Sequence, residues 1–147
     1  MSTVIPLRFK SQYDPELLSE GVKFNLIRLL AGADFKTLTG WSQKYHAIVD
    51  TGSPANLIPR HIWSQSVNRL ILAKKFSLSG IGQGKVFAYL GEVTVRLSYR
   101  AKATAPIKVR AFLLETDSAP LILGFQDFLT ISTLLSSYPK KLASVKF

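Results

Sequence analysis

Along most of the 147-residue chain, apolar positions recur every second residue, the period of strands with one buried face. Val4 to Phe9 reads as a first extended segment, and Tyr13 to Gly21 ("YDPELLSEG") as a polar turn or short helical turn. Val22 to Leu30 ("VKFNLIRLL") alternates and ends at "AGAD", a turn signal. Trp41 to Val49 predicts the next strand, running directly into Asp50. Pro59 to Leu72 fits either a short helix or a loop. Lys75 to Ser79 and Lys85 to Leu90 flank a glycine-rich turn, and Glu92 to Tyr99 alternates again. "KATAP" reads as a loop, Ile107 to Leu114 as a strand, and "ETDSAP" as a turn before "LILG". Phe125 to Ile131 predicts a short helix, and Thr133 to Tyr138 with Leu142 to Phe147 a closing hairpin around "PKK". Many short strands with frequent turn signals predict an all-β barrel or sandwich in a single domain.

Composition narrows the class. With 47% hydrophobic residues and nine Phe, the chain has material for a real core. No window approaches the roughly 18 consecutive apolar residues of a membrane span. The first residues, "MSTVIPLRFK", lack the basic and apolar regions of a signal peptide. Cysteine is absent, which excludes disulfides, thiolate nucleophiles and Cys-ligated metals and fits a cytoplasmic setting. His46 and His61 stand in no zinc-ligand spacing and read as structural or exposed; no metal and no cofactor is expected. Trp41 and Trp63 read as core or rim aromatics. The net charge of +10 favours acidic partners through long-range attraction. Arg96, Arg100 and Lys102, like Lys108 and Arg110, fall at alternate or near-alternate positions, on the strand face opposite Val95, Leu97 and Tyr99. That is a solvated sheet face; a nucleic-acid surface would interleave aromatics with the charges, and here they hold core-phase positions.

Three segments carry candidate chemistry. The first is "AIVDTGSPANLIP", where Asp50 ends an apolar run and is followed by Thr51, Gly52 and Ser53, small hydrogen-bonding residues suited to holding a carboxylate. Amide hydrolysis needs a base for water and an acid for the carbonyl or leaving nitrogen. Two carboxylates in contact meet that need by sharing a proton, because like charges so close cannot both ionise. The chain holds a single Asp-Thr-Gly, so a dyad requires the Asp50 of a second copy across a two-fold axis. The second segment is "LSGIGQGKVFAYLG", whose Gly80, Gly82 and Gly84 suit a hairpin tip. A P-loop would need Gly at Ser79 and Ser or Thr at Val86, and a dinucleotide fingerprint would need Gly at Lys85. The third is "APLILGFQDFL", an apolar strand meeting Gly124, where two backbone segments are expected to approach closely.

In this order, from about Lys44 to Phe147, the three segments resemble the retroviral-type (retropepsin-like) aspartic proteases. That family joins an apolar strand to Asp-Thr-Gly-Ser or Asp-Thr-Gly-Ala, then a Gly-Ile-Gly flap, then an Ile/Leu-Leu-Gly strand and a short helix. The resemblance implies a closed β-barrel with a flap hairpin and one short helix in the C-terminal half. Residues 1–43 would supply N-terminal strands and residues 44–147 the protease core. It implies a homodimeric aspartic endopeptidase acting on a peptide or protein substrate. Asp50 would be the catalytic carboxylate, and Thr51 would lock the two loops across the dimer. Gly52 would let the substrate backbone approach, and Ser53 would donate to the outer carboxylate oxygen, favouring activity on the acidic side of neutral. Gly80, Ile81 and Gly82 would close over the substrate, and Leu142 to Phe147 would join the dimer interface. Retroviral members often pair an acid two residues after the motif's Gly with an Arg directly after the later Gly. Here these positions hold Pro54 and Phe125, and Asp127 falls one position late. The rival class is a non-catalytic binding module on the same scaffold, engaging nucleic acid or an acidic protein through the basic face.

Overall fold

The computed structural model describes residues 2–81 and 84–147. In chain order its elements are β1 (Val4–Tyr13), α1 (Pro15–Ser19), β2 (Asn25–Thr37), β3 (Gly40–Trp41), β4 (Tyr45–Val49) and β5 (Asn56–Ile58). There follow α2 (Arg60–Trp63), β6 (Asn68–Leu78), β7 (Val86–Tyr99), β8 (Lys102–Ala103) and β9 (Ile107–Leu114). The chain ends with β10 (Ile122–Leu123), a 3-10 turn (Leu129–Ile131), β11 (Thr133–Ser137) and β12 (Leu142–Lys146). Strand outweighs helix 56% to 8%, as the alternating pattern predicts.

Six strands close into a barrel in the order β2–β4–β10–β5–β9–β7, with β7 pairing back to β2. The β4–β10 and β5–β9 pairs are parallel, and the remaining barrel pairs are antiparallel. Outside the barrel, β1, β12 and β11 form a sheet that continues from the first half of β2, and β6 lies along β7. Alternate side chains fill the interior: Phe35, Val93, Val95, Leu97, Val109, Leu113 and Leu123 are almost wholly buried. Each such side chain contributes roughly 1.5–3 kcal/mol by leaving water.

The "AGAD" segment is not the turn its composition suggests. β2 runs straight through it, with Ala31 and Ala33 fully buried. Small residues are needed because the barrel closes there. Gly32 sits opposite Ser98 of β7, and a Cβ on Gly32 would lie 2.6 Å from the Ser98 carbonyl oxygen. Asp34, next along, accepts from Arg96 Nε at 3.0 Å and Ser98 Oγ at 3.2 Å, and the Arg96 guanidinium lies 4.4 Å from the centre of the Trp41 ring. One member of the expected solvated basic row is therefore tied into the barrel seam.

Other boundaries shift for similar reasons. Lys85–Leu90 and Glu92–Tyr99 are one strand, β7, because Gly91 passes under Leu113 without ending the pairing. Pro59–Leu72 divides into α2 and the start of β6. The "YDPELLSEG" turn is α1, capped by the Asp14 carboxylate, which accepts from the Glu16 and Leu17 amides at 3.0 Å. The expected helix over Phe125–Ile131 is instead a series of turns ending in the 3-10 segment, with Asp127 at a φ of 59°. Within residues 1–43, β2 belongs to the barrel on both sides.

The seam gives a stability prediction. Arg96→Ala leaves the buried Asp34 carboxylate with Ser98 alone and should cost about 2–4 kcal/mol. The double variant Asp34→Ala/Arg96→Ala should recover part of that loss. Urea unfolding of the three variants checks both statements; a double variant weaker by the sum of the two singles would refute the coupling.

Candidate active site

Asp50 follows the last residue of β4 and is positioned from two sides. The parallel partner β10 receives its amide, with Asp50 N–H donating to Leu123 O at 3.0 Å. The turn beyond folds back on the carboxylate, with Gly52 N–H donating to Asp50 Oδ1 at 2.8 Å and Ser53 N–H to Asp50 O at 3.2 Å. A Cβ on Gly52 would sit 3.2 Å from the same Oδ1, so a side chain there crowds the carboxylate. Asp50 is half-buried, Thr51 and Gly52 are exposed, and the Thr51 hydroxyl makes no hydrogen bond among the described residues.

Ser53 behaves differently from expectation. Its Oγ donates to Ala55 O at 2.7 Å and leaves the carboxylate to the Gly52 amide. The Ser53–Ala55 carbonyls lie against the Gly124 turn, where buried acceptors need donors. Phe125 N–H serves Ser53 O at 3.0 Å, and the Ser53 hydroxyl serves Ala55 O. The expected Ser53 hydrogen bond to the carboxylate is therefore not formed. Gly124 is the close approach its sequence context suggests: a Cβ would lie 2.3 Å from Ser53 O and 2.5 Å from Ala55 O.

Asn56, at the head of β5, ties these pieces together and went unnoticed in the sequence. It is fully buried, its Nδ2 donating to Arg110 O at 2.8 Å and Gln126 O at 2.7 Å while its Oδ1 accepts from Gly124 N–H at 2.8 Å. Asn is depleted in strands, and a lone Asn opening the apolar "NLIP" run was the available signal.

A second unforeseen feature lies beside it. Arg110 of β9 grips Asp127 in two parallel bonds, Nε to Oδ2 at 2.8 Å and Nη2 to Oδ1 at 3.0 Å. The Arg110 amide adds a bond to Oδ2 at 3.0 Å, and Gln126 Nε2 one to Oδ1 at 2.9 Å. Chiefly through the guanidinium bonds, and against some desolvation, the Asp127 carboxyl is held far below the usual carboxylate range. Pro54 and Phe125 take no part in this pair; the acid comes from the turn and the arginine from β9.

Asp50 opens into a cleft of about 410 Å³ whose walls include Arg28, Ile48, Ile122, Leu134 and Tyr138. Gly80 and Ile81 lie in the loop between β6 and β7, and Gly82 lies outside the described residues. Ile81 packs on the cluster of Leu57, Ala88, Leu114 and Ala119 that Ile122 also joins, which links the hairpin end to the cleft wall. The terminal segment Leu142–Phe147 is the middle strand of its sheet: β12 pairs with β1 and β11, Val145 is fully buried, and Phe147 packs on Phe128 at 5.5 Å. β11 is the outer strand of that sheet, and Leu135 and Leu142 are each 63% exposed. Neither histidine joins the Asp50 site. His46 is exposed, and His61 bonds Asp117 Oδ1 through its amide at 2.6 Å and its Nδ1 at 2.9 Å. Among the described residues no three of His, Asp and Glu gather as a metal would require. No helix among them is long and apolar enough to cross a membrane.

Two outcomes follow. Asn56→Ala strands two carbonyls and an amide, and unfolding in urea should show a loss of about 3 kcal/mol or more, since each buried unpartnered group costs roughly 1–3 kcal/mol. An unchanged midpoint would remove Asn56 from its structural role. For Asp127 the folded pKa lies below the ordinary 3.8, so its stabilisation is present above that pH and is lost as pH falls toward the lowered value. The stability gap between the native chain and Asp127→Asn should therefore be full near neutrality and close below pH 3.8, as acid titrations of both will read. The chain matches no family model, no curated protein and no solved structure, so its function is read from this geometry.

Proposed function

We propose that the chain is a homodimeric aspartic endopeptidase in which the Asp50 carboxylates of two copies form the catalytic dyad. The observation that carries this reading is the isolation of Asp50. Of the nine acids, Asp34, Glu92, Glu115, Asp117 and Asp127 face a basic partner, and Asp14, Glu16 and Glu20 belong to the surface turn at α1. Asp50 has no cationic partner among the described residues and stands in a cleft, held by a backbone amide. A carboxylate so placed, with an unbonded Thr51 hydroxyl beside it, is suited to meet a second carboxylate that shares its proton.

In the dimer, one Asp50 takes a proton from water as it attacks the scissile carbonyl, while the protonated partner polarises the carbonyl oxygen. The roles then reverse to protonate the leaving nitrogen, and no covalent intermediate forms. The hairpin between β6 and β7 closes over the substrate and excludes bulk water. Leu135 and Leu142, exposed on the terminal hairpin whose Leu134 and Tyr138 line the cleft, give an apolar face for the second copy.

Digestion of a denatured protein mixture, with and without a statine-type inhibitor, tests the activity. Cleavage should be blocked by the inhibitor and lost in Asp50→Asn. Mixing equal amounts of native and Asp50→Asn chains under subunit exchange should lower activity to about a quarter, because each active dimer needs two native copies. A fall to one half would mean that each chain acts alone, and cleavage retained by Asp50→Asn would overturn the proposal.

A further inference from the structure

The surplus positive charge of the chain is not spread evenly. Arg8 and Lys10 occupy alternate positions on β1, and Lys10 stands directly opposite Arg28 of β2. Like charges directly opposite on neighbouring strands are destabilising. No acid relieves this one, because neither residue forms an ion pair among the described residues. Lys44, Arg100 and Lys141 join Arg8 around a groove of about 680 Å³ floored by Pro6, Leu7 and Leu30, and they too form no ion pair among the described residues. The exposed His46 lines the same wall.

The groove leads to Asp50. Arg8, Leu30 and His46 line both it and an adjoining depression that contains Lys10 and Arg28. Arg28, Ile48 and Pro120 line both that depression and the Asp50 cleft. A continuous trough, acid-free until Asp50, thus runs from the β11–β12 turn at Lys141 to Asp50.

We propose that this trough docks an extended acidic segment of the polypeptide cleaved at Asp50, an inference that rests on the proteolytic reading. An extended chain repeats its side chains every second residue, about 6.5–7 Å apart, the same spacing as Arg8 and Lys10. Acidic residues at alternate positions therefore meet the cations, while the intervening side chains rest on the apolar floor. Single-stranded nucleic acid fits less well because it needs open aromatic faces. The aromatics here already have partners, with Arg100 over the Tyr99 ring at 5.3 Å and Tyr138 and Phe9 in a T-shaped pair at 5.6 Å. An oligo-dT probe tests whether a base displaces them.

The test uses the full-length Asp50→Asn chain, which holds a peptide without cutting it, and reads fluorescence anisotropy. Probes are a short labelled peptide alternating Asp and Val, its counterpart alternating Asn and Val, and an oligo-dT of equal charge. The acidic peptide should bind best, and its affinity should fall about tenfold or more in Arg8→Glu/Lys44→Glu. The charge-matched control Lys23→Glu/Lys108→Glu, away from the trough, should change it by less than about twofold. Should Arg8→Glu/Lys44→Glu fail to fold, Lys10→Gln/Lys141→Gln, at exposed positions, carries the same comparison. Equal losses in trough and control variants would overturn the proposal, as would an Asn–Val peptide binding equally well or oligo-dT binding more tightly. Because binding is read on an inactive chain, these failures leave the proteolytic reading standing. Acidic-peptide binding in a chain whose native form cleaves nothing would remove that reading alone.

Discussion

The buried carboxamide of Asn56 is the interaction on which the rest of the site depends. Three chain segments meet at this side chain: β9 at Arg110, the Gly124–Gln126 turn, and β5 itself. Both amide hydrogens and the carbonyl oxygen have partners, the condition under which a polar group is tolerated in a dry interior. Each bond nets only about 1 kcal/mol, but a missing partner leaves a buried group unpaired at greater cost, so the arrangement is strongly specified. Just upstream, at Ser53 and Ala55, the chain passes Gly124 so closely that no Cβ fits. The Asp50 turn is thereby clamped between β10 and the Gly124 turn, and the carboxylate inherits the rigidity of the core.

Barrel closure imposes a second constraint that reaches the same place. β2 pairs with β1, β4 and β7 in succession, and it can do so only because Gly32 lets β7 approach. Had β2 ended at "AGAD", Tyr45 to Ala47 of β4 would lose their partners Ala33 to Ala31, and β7 would have no strand on which to close the barrel. The Arg110–Asp127 pair works from the opposite side, holding the turn after Gly124 to β9 at the point where Asn56 also bonds. Clamp and ion pair therefore converge on the Gly124 turn against which the Ser53–Ala55 backbone packs.

What was legible in the sequence follows from the range of each signal. Alternation of Ile107 to Leu114, or of Glu92 to Tyr99, is a local consequence of a half-buried strand, and those segments are strands. Gly124 as a close approach was legible because an apolar strand rarely contains glycine without a steric reason. "AGAD" misled because small residues serve a turn and a crowded strand equally well, and only the partner strand decides between them. Asn56 and the Arg110–Asp127 pair depend on contacts with residues up to 70 positions away, about which a local pattern says nothing.

The distribution of charge gives the question posed by Asp50 its physical answer. In a chain carrying +10, a carboxylate left near cations is drawn into an ion pair, as Asp34, Glu92, Glu115 and Asp127 are. Asp50 is kept from that fate by position and not by composition. The turn after β4 achieves this by offering Asp50 a neutral donor, the Gly52 amide, at 2.8 Å. Arg28, the basic residue lining the cleft, forms no ion pair with Asp50. The remaining cations act at longer range. Their field extends about 10 Å at 0.1 M salt, so it acts along the trough without an ion pair to the carboxylate at its end. Positive charge and a free acid thus coexist because one operates through the field and the other through a single short hydrogen bond.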